Sequence, residues 1–196
     1  MRFDGWIAGV GTAEGTRIVL GHWPRSPYGA VSDVMVERAD GHRVLLAATQ
    51  ELAEFVAATY AFDEVRVVPV GVRRDGPRWT VEAGPLRLGF VVGRRGALGW
   101  LLRAVPAPLA GRPAWVRLID RPARRLMPGV RTYGSAGGGR REFYGARDLH
   151  PIVAAEAQWE GAALGAQRDV EPPVRFGFGS APRRPALVRI TTTVEG

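Results

Sequence analysis

Asp33 and Glu37 stand in the segment SDVMVE, alternating with Val34 and Val36. In an extended chain this spacing turns both carboxyl groups to one face. A carboxyl facing a protein interior needs a partner, and arginine is the obvious one; the same alternation also suits a strand whose polar face meets solvent. The chain has three histidines, His22, His42 and His150. His42 follows an Asp-Gly turn and is expected in solvent, whereas His22 and His150 lie near aromatic and acidic residues and could act as general bases. Asp33, Glu37 and His150 are the candidate catalytic residues. No HxH or HExxH spacing is present, so no metal site is expected. No GxSxG elbow supports a Ser-His-Asp triad.

The second chemical feature is YGSAGGGRREFYGARDLHP, residues 133 to 151. A P-loop needs GxxxxGK[ST], and here arginine replaces the lysine and Glu142 the hydroxyl residue. A dinucleotide fingerprint would lead into a helix, but REFYGARDLHP reads as a strand. The glycines therefore join two strands. The loop is either a plain hairpin or a ligand loop in which Arg140 or Arg141 meets a carboxylate or phosphate through a bidentate guanidinium. Tyr28, Arg131, Tyr133, Arg140, Arg141 and Tyr144 are the candidate ligand-binding residues, with Trp23 and Phe143 as further aromatic walls.

These residues need strands to hold them. GWIAGVG, TRIVLGHW, SDVMVERA and HRVLLAA are short, apolar and separated by turn residues. Asp40-Gly41 predicts a tight hairpin over 31 to 48. Thr49 is placed to cap a helix in QELAEFVAATY, where Leu52, Phe55, Val56 and Tyr60 share a face. EVRVVPVGVRR reads as one strand, and further strands follow at PRWTVEAG, LRLGFVVG, EFYGARDLHPIVA, PVRFGFG and ALVRITTTV. Short turns between strands favour an antiparallel β-barrel or sandwich over a parallel sheet. Residues 94 to 128 break this pattern as a basic helical insertion. Asp120 is placed to cap its second helix with Pro122 in the first turn. Arg117, Arg121, Arg124 and Arg125 share one side, and Trp115, Ile119, Leu126 and Met127 the other. The fold class predicted is mainly β (α+β), with one packed helix and this insertion, in a single domain over 1 to 196.

Composition excludes several chemistries. The chain of 196 residues has no cysteine, and all 27 basic residues are arginine. Disulfides, thiolate catalysis, Schiff bases and pyridoxal phosphate attachment are therefore ruled out, and no cofactor is expected. An all-arginine complement also follows from GC-rich codons and then carries no functional message. The net charge of +8 comes wholly from residues 81 to 150, with thirteen arginines against four acids. Such a region attracts nucleic acid, anionic lipid or an acidic ligand without choosing among them. No transmembrane run, secretory signal or recognised nucleic-acid motif is read, which makes the cytoplasm the expected compartment. Homo-oligomerisation is left open.

SPYGAVSDVMVE, a Pro-Tyr-Gly turn leading to an acid on a strand, then a hairpin and a helix, resembles the part of acetoacetate decarboxylase-like proteins that carries a pocket carboxylate. The ending RFGFGSAPRRPALVRITTTV is similar in layout to their closing strands. The chain as a whole also resembles an actinobacterial protein family, which implies no function. The first resemblance implies a β-barrel-like fold around a small cavity that takes oxo-acids, with Asp33 as the pocket acid. It departs from that family in lacking the Schiff-base lysine, so the decarboxylation is unavailable. The function expected is binding of a small anionic metabolite, an organic acid or relative, in an interior barrel cavity, with or without non-decarboxylating catalysis. The alternative is an interaction module docking nucleic acid or anionic membrane through the 94 to 128 insertion.

Overall fold

The structure is a computed structural model and describes residues 1–126, 130–135, 137–177 and 181–195. The strands are β1 (Arg2–Thr12), β2 (Arg17–Arg25), β3 (Val31–Glu37), β4 (Arg43–Ala47), β5 (Glu64–Val67), β6 (Val70–Asp75), β7 (Arg78–Ala83), β8 (Leu86–Val92), β9 (Tyr133–Ser135), β10 (Arg141–Trp159), β11 (Ala162–Ala163), β12 (Gln167–Arg168) and β13 (Ala186–Glu195). The helices are α1 (Gln50–Ala57), α2 (Ala97–Ala104), α3 (Ala107–Ala110) and α4 (Pro113–Leu126). The chain is mainly β, and its mixed sheet curls into a half-barrel. Along the sheet the order is β5-β4-β3-β2-β1-β13-β10-β8-β7-β6, with β9, β11 and β12 as side branches. Only β4 and β5 pair in parallel among the described residues.

Alternation gives the sheet two apolar faces. On β2, β3 and β4 the residues Leu20, Val34 and Leu46 meet Trp79, Leu88 and Phe90 from β7 and β8. Strands far apart in the sheet order can share one cluster only if that face is concave. It is filled with side chains. The opposite face carries Phe3, Trp23, Leu45, Val188 and Ile190, and α1 covers it with Leu52, Ala53 and Val56. The inner cluster is closely packed, and the cavity that holds Asp33 lies on the outer face.

Several local expectations hold with adjustments. Thr49 caps α1 by accepting from the Leu52 amide at 3.3 Å. The 31 to 48 hairpin forms, but its turn runs over residues 38 to 42 and Gly41 alone takes positive φ, at 87°. EVRVVPVGVRR is two strands, not one. Pro69 has no N–H for a ladder, and the chain passes there from the β5 edge of the sheet to the β6 edge. PVRFGFG is not a strand where described; residues 174 to 177 form a loop whose Val174 and Phe176 are buried. Asp120 caps no helix, because α4 is continuous with Pro122 inside it. The Asp120 carboxylate instead accepts from the Thr132 amide at 2.9 Å and pairs with Arg124 at 2.6 Å. Met127, expected on the apolar side of the insertion, lies outside the described residues.

Candidate functional site

Asp33 is buried on β3, opposite Gly21 of β2. Its Oδ1 accepts from the Trp23 indole Nε1–H at 3.0 Å, so its partner is not an arginine. A Cβ on residue 21 would lie 2.6 Å from Asp33 Oδ1 and 2.7 Å from Trp23 Nε1. Glycine there is what lets the indole reach the carboxyl. Burial, opposed by the Trp23 hydrogen bond, pushes the Asp33 carboxyl up to about 7.

A second carboxyl, Glu142, faces the same space from the start of β10. Its Oε2 accepts from the Tyr60 hydroxyl at 2.7 Å and the Tyr144 hydroxyl at 3.2 Å, and the two phenols also bond each other. Burial raises Glu142 above the ordinary carboxylate range against the lowering effect of both phenols. The Tyr60 phenol is raised well above its usual value, first by burial and then by Tyr144 and Glu142, so it stays a neutral donor. Glu142 and Tyr144 share a face because they are two apart on a strand, while Tyr60 arrives from the turn after α1.

These groups enclose a cavity of about 60 Å³ between the outer face of the sheet, α1 and the loop around Phe176. Its apolar wall includes Phe3, Trp23, Leu52, Phe55 and Val56. No arginine lines it among the described residues. The loop is fixed by Glu37, which is fully buried, pairs with Arg17 at 2.9 Å and accepts from the Arg175 amide at 2.7 Å and side chain at 3.0 Å. Gly177 makes room for the Tyr60 ring, since a Cβ there would lie 2.7 Å from Tyr60 Cδ1.

No family model and no curated protein matches this chain.

Of the residues singled out in the sequence, Asp33, Trp23 and Tyr144 meet in the cavity. Glu37 shares the face of Asp33, as its spacing predicted, but its carboxylate is closed off in ion pairs. His150 lies elsewhere: its ring bonds the Gly93 carbonyl at 3.1 Å and approaches Asp148 at 3.5 Å. Tyr28 stands behind the wall, packed on Phe3 and Phe55. Arg140 lies over the Phe55 ring at 5.3 Å and reaches Thr59, outside the lining. Arg141 is exposed at the start of β10. Arg131 borders a separate apolar cavity under α4, and Tyr133 stacks on Phe143. The glycine loop is the hairpin turn between β9 and β10. The Gly137 amide bonds the Thr59 carbonyl at 3.0 Å, and a Cβ there would strike Ala58 O at 2.2 Å. Part of the loop thus docks on the end of α1. Among the described residues no group of three or more His, Asp or Glu could hold a metal ion.

Glu142 and Tyr60 were missed. Glu142 had a signal, since it alternates with Tyr144 as Asp33 does with Met35. Tyr60 had none beyond the apolar face of α1.

Proposed function

We propose that the cavity between α1 and the outer sheet face binds a small uncharged oxygen compound, a ketone, aldehyde or alcohol of a few non-hydrogen atoms, and that Asp33 exchanges a proton with it. The observation that carries this reading is the pairing of two carboxyl groups, both raised by burial, in one aromatic cavity with no arginine among its described lining residues. An anion there would be desolvated beside two carboxyls with no guanidinium to offset it, which argues against the anionic metabolite expected from sequence. A carboxyl with a pKa near 7 is half-protonated at neutral pH and serves as acid or base equally well. Tyr60 or Tyr144 supplies a phenol donor to a carbonyl oxygen by giving up its bond to Glu142, since each hydroxyl has one hydrogen. The volume is well below the roughly 150 Å³ of an engineered void that admits benzene, which limits the ligand to a handful of atoms. The resemblance to acetoacetate decarboxylase-like proteins is consistent with an acid at Asp33.

Saturation-transfer NMR with acetone, short aldehydes and short alcohols should detect binding. In D2O, α-hydrogen exchange of the bound ketone should fall by about 10²-fold or more in Asp33→Asn. No binding by any of these compounds sinks the reading; binding with exchange unchanged in Asp33→Asn removes the proton transfer alone.

A second reading rests on the helical segment 94–126, which carries eight arginines against one acid, the buried Asp120. Trp100, Leu101 and Leu118 on its helices are 59%, 60% and 70% exposed. Exposed aliphatic and indole groups among arginines favour an anionic lipid surface over nucleic acid. Co-sedimentation with phosphatidylserine vesicles should occur at low salt, weaken as salt rises, and drop in Trp100→Ser/Leu101→Ser. No sedimentation at low salt removes this reading.

A further inference from the structure

Trp6 and Ile7 are neighbours on β1, and alternation sends them to opposite sides. Ile7 lines the Asp33 cavity, while Trp6 borders two open depressions on the other side. The first, of about 380 Å³, is lined by Trp6, Arg103, Arg147, Asp148 and Arg189 among others. The second, of about 260 Å³, includes Trp6, Trp79, Arg74 and His150. The shared indole makes them adjoining compartments.

The first compartment is short of negative charge. Arg189 reaches Asp4 at 2.7 Å, Arg25 reaches it at 2.8 Å and Arg147 at 3.5 Å. Asp148 is already held bidentately by Arg95, both bonds at 2.7 Å, and Arg103 is 3.9 Å away. Five guanidinium groups thus share two carboxylates. Burial lowers the Arg189 pKa; Asp4 opposes this, and Arg147 and Arg25 add to it. An anion brought to Arg103, Arg147 and Arg189 relieves that repulsion, and each guanidinium presents several N–H donors in a planar fork. The second compartment offers the half-buried indole of Trp6, whose ring crosses the buried Trp79 ring at 65° with centroids 6.0 Å apart.

We infer that this paired depression is a binding site for a phosphorylated small molecule, with the phosphate on Arg103, Arg147 and Arg189 and a flat organic group against Trp6. A dianionic phosphate suits the surplus of positive charge better than a single carboxylate. The site is independent of the Asp33 cavity.

The test is calorimetric titration of the protein with phenyl phosphate, inorganic phosphate and benzoate, at ionic strength fixed with chloride. Phenyl phosphate should bind more tightly than inorganic phosphate, and benzoate least. Arg103→Gln/Arg147→Gln should weaken both phosphates by about tenfold or more. Arg103→Gln, at a mostly exposed side chain, should show part of that loss in a fold not at stake. Arg87→Gln, exposed on β8, should change nothing. The inference is overturned if no phosphate binds at millimolar concentration, if Arg87→Gln weakens binding as much as the double variant, or if benzoate matches phenyl phosphate.

Discussion

Asp33 couples the cavity to pH. Its carboxyl ionises near 3.8 in an unfolded chain and at about 7 when folded. The folded protein therefore holds a proton that the unfolded chain releases across this window. The resulting stability is fully present below the unfolded value and is lost as pH rises through about 7, by about 4 kcal/mol in all. Asp33→Asn keeps an oxygen for the Trp23 indole and removes the titration. Its melting temperature should exceed that of the native chain at pH 8 and approach it at pH 4.5; parallel melting curves at both pH values would place the Asp33 carboxyl in water. Gly21→Ala forces a Cβ between Asp33 and Trp23, and urea denaturation should register a loss on the order of 2 kcal/mol. At this scale the sequence was half legible. The alternation in SDVMVE correctly turned Asp33 and Glu37 to one face, and Tyr144 was read as an aromatic wall. The direction of their partners was not legible, because Trp23, Arg17 and Arg175 reach them through strand register and a loop that local patterns do not encode.

Elements were more readable than their joints. The Thr49 cap and the inward placing of Leu52 and Val56 follow from short-range chemistry and appear as expected, but α1 ends at Ala57 and Tyr60 lies in the turn beyond it. Pro69 sits in an alternation that reads as one strand, although a residue without an N–H marks an edge or a break. Pro122 suits the first turn of a helix, yet α4 runs through it. PVRFGFG reads as a strand because Val174 and Phe176 alternate, and burial against Phe62 and Val19 explains that alternation equally well. Glu37 is the tie that holds this loop to β3. In Glu37→Gln, Arg17 stays buried at 4% exposure without a countercharge, and chemical denaturation should show a loss of about 3 kcal/mol. The same variant should loosen the Phe176 wall and weaken any ligand of the Asp33 cavity. A stability equal to that of the native chain would mean that the Arg17 charge finds solvent.

For the molecule as a whole, the mainly β architecture was legible from short apolar runs and turn residues, but the direction of curling was not. It emerges from pairings between distant segments, chiefly β10, which joins β13 through its first half and β8 through its second. The helices α2 to α4 cover the sheet with much of their surface exposed, so hydrogen exchange should be faster across 97 to 126 than in β1, β2 and β13. Equal protection would show that the helical cover opens only with the sheet. The central seam is made by β1 and β13, with Arg2 opposite Thr193. That register has a kinetic consequence. Closing it requires the ends of the described chain to find each other before either strand gains its second partner, and the entropy of so long a loop is met before the contacts form. Refolding followed by stopped-flow fluorescence should therefore run in milliseconds to seconds rather than microseconds, with the seam formed late.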